Sequence, residues 1–134
     1  MIPIVDKVGH QQARRFVEGC VRETLGKLPP EYSDALTAAP LVVTIEAATP
    51  IAGSWAVFSP PQAAGQPAEI ILGAGAVRLT CNRVMELLGH EFAHALLYFV
   101  LPELYAKDHE AKVRELVTEW GLSASSRLVR RDYD

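Results

Sequence analysis

With 134 residues, 49% of them hydrophobic, the chain has the length and apolar material for one hydrophobic core and too little for two domains. A formal charge of −3 and a pI near 5.8 leave no global basic footprint, so neither generic nucleic-acid binding nor adsorption to an anionic membrane is expected. The two cysteines, Cys20 and Cys81, fall outside any CxxC spacing and read as buried free thiols, a usage that fits a reducing cytoplasm.

The N-terminal stretch MIPIVDKVGHQQARRF has no basic start followed by an apolar segment, so no signal peptide is expected. From Asp6 to Leu28, the residues Ala13, Phe16, Val17, Cys20, Val21, Leu25 and Leu28 recur at three- and four-residue steps, the pattern of an amphipathic helix. Pro29-Pro30 stops that pattern, and the stretch to Pro40 reads as a connection. Three strands are expected next: Leu41 to Glu46, Gly53 to Ser59, and Glu69 to Leu72, rich in β-branched or alternating side chains and separated by Pro- and Gly-rich loops. Thr80 or Asn82 caps a long helix running to about Val100, which Pro102 ends. A last helix fits Asp108 to Trp120, with Asp108 as N-cap and Gly121 as its stop, and residues 122–134 read as a polar tail. The longest apolar run, Ala93 to Leu101, is far short of the roughly 20 residues of a spanning helix. Helix, short sheet, long helix and short helix together make a single α+β domain over residues 1–134.

The chemistry concentrates in His90-Glu91-Phe92-Ala93-His94. Histidines four apart on a helix sit one turn above each other on the same face and can hold one metal ion with two imidazoles. Val84, Leu87, Leu88, Leu97 and Tyr98 share that broad side, and two imidazoles on an apolar face need partners that a metal supplies. Glu91, next to the first histidine, is poorly placed to ligate the same ion and well placed to move protons beside it. The expectation is a Zn2+ site and a hydrolase with Glu91 as general base and acid. The alternative is a non-catalytic zinc-binding or regulatory domain, its site closed by a fourth ligand for which His10 and Cys81 are the spare donors.

A catalytic zinc site takes three protein ligands, and the last helix offers His109, Glu110, Glu115 and Glu119. At about 100° per residue, His109 lies roughly 30° from the stripe of Val113, Leu116, Val117 and Trp120, and Glu110 roughly 70° from it. Glu115 and Glu119 point more than about 100° away and read as solvated charges. His109 is the first choice for third ligand and Glu110 the second.

Over Gly53 to Gly121 the sequence resembles the SprT-like zincins, a group that includes DNA-protein crosslink proteases. HEFAHALLYF is similar to that family's HExxH helix, and fourteen residues separate His94 from His109, a spacing similar to that before the family's third histidine. The strand EIIL resembles the edge strand that precedes the family's metal helix. The chain departs in having Glu110 where Gly or Ser is common, and no zinc ribbon follows in the sequence. The pair Glu110-Ala111, with Leu116 and Trp120, also resembles the glutamate helix of gluzincins such as the ImmA-type peptidases and the minimal gluzincins, whose Glu is the third ligand. Both resemblances imply a small zincin-like fold and a zinc metallopeptidase acting on a protein or peptide. Glu69 to Leu72, just ahead of the metal helix, reads either as a strand to which an extended peptide could add or as an ordinary core strand. Tyr98 and Tyr105 read as packing residues able to donate to an oxyanion, and Trp55 and Trp120 as core or groove anchors.

Overall fold

In the computed structural model, which describes residues 1–106 and 109–122, the chain opens with a short strand, β1 (Ile4–Asp6). The Asp6 carboxylate then accepts the backbone N–H groups of Val8 and Gly9 at 3.0 and 2.9 Å, and Gly9 takes φ +80°. That turn delays the first helix, α1 (Gln11–Gly26), relative to the start expected at Asp6, and His10 becomes its N-cap, Nδ1 accepting from the Ala13 N–H at 3.2 Å. Val17, Cys20, Val21 and Thr24 form its buried stripe.

The segment after Pro29 is a second helix, α2 (Pro30–Ala38), and not the connection expected from its prolines. Pro30 stands at the first helical position, where a missing N–H costs nothing and the fixed φ suits the helix. Pro40 ends it by forcing Ala39 into extended backbone, ψ 154°.

Three further strands follow: β2 (Leu41–Glu46), β3 (Ala56–Ser59) and β4 (Ala68–Gly73). They form with β1 a mixed sheet in the order β1-β2-β4-β3, parallel except for β3, which runs antiparallel to β4. Ile4, Val43, Ile70 and Phe58 lie in register across it, and the first three are buried on the face that meets the helices. This order corrects the expectation that Glu69 to Leu72 is an edge strand. Both sides of β4 are hydrogen-bonded, to β2 and β3, so a peptide cannot add there; β3 holds the edge on that side of the sheet.

The long helix α3 (Cys81–Val100) matches its expected bounds and is capped by Thr80, whose hydroxyl accepts from the Arg83 N–H at 3.3 Å. It is buried on most of its circumference because α1, α2, β3, β4 and the last helix all pack on it. A short turn of helix, α4 (Pro102–Tyr105), reverses the chain into α5 (His109–Glu119); the Asp108 cap lies outside the described residues. The end of α5 is a Schellman closure: Gly121 has φ +72°, its N–H bonds Thr118 O, and the Leu122 N–H bonds Val117 O, both at 3.0 Å.

Leu122, expected to begin the polar tail, is instead buried against α3. A Cβ on Gly89 would stand 2.6 Å from its Cδ1, so the bare glycine provides the notch that seats the end of α5. From residue 123 on, the expected tail lies outside the described residues. No helix among the described residues is long and apolar enough to cross a membrane.

Candidate metal centre

Residue 90 and residue 94 stack on one face of α3, as the four-residue spacing requires, and both imidazoles turn Nε2 toward a common point, 3.2 Å apart. The reversal through α4 and the Leu122 seat at Gly89 bring the first turn of α5 over the same face. There Glu110 Oε1 stands 3.5 Å from His94 Nε2. Ligand atoms of His90, His94 and Glu110 all lie within 4.8 Å of one another. A tetrahedral zinc ion with bonds of about 2.05 Å separates its ligand atoms by about 3.3 Å, so two nitrogens and one carboxylate oxygen at these spacings fit such an ion. The chain matches no protein-family model, no curated protein and no solved structure.

His109 stands beside this group, outside the convergent three. Its Nε2 is 3.6 Å from Glu110 Oε1, and its ring centroid is 5.2 Å from that of His94. Tyr105 stacks on its ring, at 4.9 Å and 21°. Glu91 is buried at 4% exposure and is likewise not one of the three. Glu115 and Glu119 are exposed, as expected, and Glu115 is paired with Lys112 at 3.1 Å.

The two donors considered for closing the site are engaged elsewhere. His10 caps α1, and Cys81 is the first residue of α3, nine residues from His90 and therefore about 13 Å along the axis. Glu110 keeps 58% of its side chain exposed, so the group opens to solvent on that side.

An aromatic wall leads from the imidazoles to the sheet edge. Tyr105 meets Tyr98 edge-on at 5.3 Å, and both rings contact Phe58 of β3, at 6.3 and 5.8 Å. Burial, with Tyr98 adding to it, pushes the Tyr105 hydroxyl above its ordinary range, so it keeps its proton at neutral pH and remains a donor. Trp55 packs against the core, and Trp120 is buried with its ring edge-on to Tyr32 at 6.3 Å.

Burial holds both of these imidazoles neutral. Desolvation lowers His90, partly offset by Glu110 and reinforced by Arg114. Desolvation, then the neighbouring His90 and His109, lowers His94 to about 3. Neutral imidazole is the form that ligates a metal, so protons compete weakly with it here.

A pH dependence follows for the metal-free chain. Below its unfolded value of 6.5, His94 binds a proton in the unfolded chain and not in the folded one, so stability falls as pH drops from 6.5 toward about 3. Between pH 6.5 and pH 5 the loss is about 2 kcal/mol, read as a falling urea midpoint in the presence of chelator. A His94→Gln variant should show a correspondingly flatter profile; equal slopes in the two proteins would rule this origin out.

Proposed function

We propose that the chain is a zinc-dependent peptidase in which His90, His94 and Glu110 hold the ion and Glu91 is the general base and acid. The observation that carries this reading is the convergence of three lone-pair donors on a solvent-open point, with a buried carboxylate next in sequence to one of them and outside their group. Zinc held there supplies Lewis acidity, which acidifies water and polarises a carbonyl. Glu91 takes the proton from the attacking water and hands it to the amine that leaves. Tyr105, still protonated and stacked on His109 beside these donors, donates to the oxyanion. An extended peptide adds along β3, where Phe58, Tyr98 and Tyr105 offer an apolar wall for its side chains. This is a zincin-like arrangement of the gluzincin kind, since Glu110 and not His109 takes the third place. His109 is then a positioning residue, packed beside the Glu110 carboxylate at 3.6 Å with Tyr105 stacked on its ring.

The third ligand is tested by paired variants. Glu110→Gln should weaken zinc binding by more than 100-fold, whereas His109→Ala should weaken it by about 10–100-fold, as loss of an outer partner does. The reverse ranking in a competition titration would give the ligand role to His109. The activity itself is tested by incubating the zinc-loaded chain with casein: cleavage should stop with chelator and return with one equivalent of zinc, while a chain that binds zinc and never cleaves is the non-catalytic domain.

A further inference from the structure

Two helices far apart in sequence bring the only two cysteines together. Cys20, on the buried stripe of α1, and Cys81, the first residue of α3, place their sulfurs 3.3 Å apart. A disulfide needs about 2.05 Å, so closing the bond takes a relative movement of about 1.3 Å. The two thiols differ in access. Cys20 is 1% exposed, while Cys81 is partly exposed and has the Glu23 carboxylate 3.8 Å from its sulfur.

We propose that Cys20 and Cys81 form a reversible redox-modification site, in which a small disulfide such as glutathione disulfide enters at Cys81 and Cys20 closes an intramolecular bond. Cys81, the accessible sulfur of the pair, is where the exchange starts, and its proton leaves with the first glutathione. The Cys81 sulfur attacks one glutathione sulfur, breaking the glutathione S–S bond and releasing the first glutathione thiol. The Cys20 sulfur then attacks Cys81 Sγ, breaking the mixed disulfide, and its proton leaves with the second glutathione. The protein dithiol loses two electrons and the small disulfide gains them.

The order of attack follows from the environments. Burial, then the Cys81 sulfur as hydrogen-bond partner and charge, and then Glu23, push the Cys20 thiol up to about 12. Cys20 therefore does not start the reaction. Once the Cys81 sulfur is tied up in a mixed disulfide, both of its contributions to that shift are gone.

The bond would link α1 to the start of α3 across 61 positions and raise the melting temperature by roughly 5–15 °C. It lies about 13 Å along α3 from His90, so zinc affinity should change by less than about 3-fold. The proposal is thus independent of the peptidase reading.

The test exposes the full, metal-free chain to glutathione disulfide and reads intact mass, a non-reduced peptide map and thermal melting. Expected are loss of two hydrogen masses, one linked peptide containing Cys20 and Cys81, and a rise in melting temperature that dithiothreitol reverses. A Cys20→Ala variant should stop with one glutathione on Cys81. If that variant does not fold, Cys81→Ala, changed at the more exposed position, should take up no glutathione and show no rise. Two thiols still open to alkylation, a stable glutathione adduct on the unmutated chain, or a disulfide-linked dimer would each overturn the proposal.

Discussion

Replacing Glu91 with Gln is expected to lower peptide hydrolysis by about 10²–10⁴-fold while leaving zinc affinity within about 3-fold of the unmutated chain. Glu91 is buried and lies outside the group of convergent donors, so under the proposed mechanism its loss would remove a proton carrier and not a ligand. The amide keeps the shape of the carboxylate and cannot accept a proton at neutral pH. The measurements are steady-state hydrolysis at saturating zinc and a competition titration of the metal on the same preparation. A variant that loses zinc in proportion to activity would make Glu91 a ligand and contradict the role assigned to it.

The second large effect is on stability. An ion bound only by the folded chain, at a free concentration about 1,000 times its dissociation constant, stabilises by about 4 kcal/mol, which for a domain of this size is a rise in melting temperature of roughly 10–20 °C. His94→Ala should abolish that rise. It removes the nitrogen that lies 3.2 Å from His90 and 3.5 Å from Glu110, and two remaining donors do not make a zinc site. Without metal, the same variant should be no less stable than its parent at pH 5, because it no longer carries a buried imidazole that protonates on unfolding. Thermal melts with and without zinc at two pH values distinguish these contributions. A zinc-induced rise that survives in His94→Ala would place the metal elsewhere.

The parts of this site that depend on one helix were legible in the sequence. A four-residue spacing fixes the relative position of His90 and His94 once the segment is helical, and Thr80 and Pro102 mark its ends. The third place was harder, because helical phase shows which side of α5 faces inward but not where along that side the two imidazoles of α3 converge. Val113, Leu116 and Val117 point into the core, whereas the imidazoles meet at its rim, with His94 still 12% exposed. A residue at the edge of the stripe, Glu110, therefore reaches the group, and His109, nearer the stripe centre, comes to lie beside it.

Long-range pairing was less legible still. Nothing in the short segment Ile4–Asp6 signals a strand until β2 is available to pair with it, and the insertion of β4 between β2 and β3 cannot be read from the order of the segments. Helix α2 went unread because it buries only Leu36 and opens on the prolines that looked like a break. The contact between Cys20 and Cys81 has no local signal; it exists because α1 crosses the start of α3.

The most direct measurement is X-ray absorption at the zinc edge on chain titrated with one equivalent of metal. The account predicts a single zinc per chain, held by two imidazole nitrogens and one carboxylate oxygen, with a light-atom ligand that exchanges with solvent. A chain that takes up no stoichiometric zinc, or a shell completed by a fourth protein ligand, would contradict it.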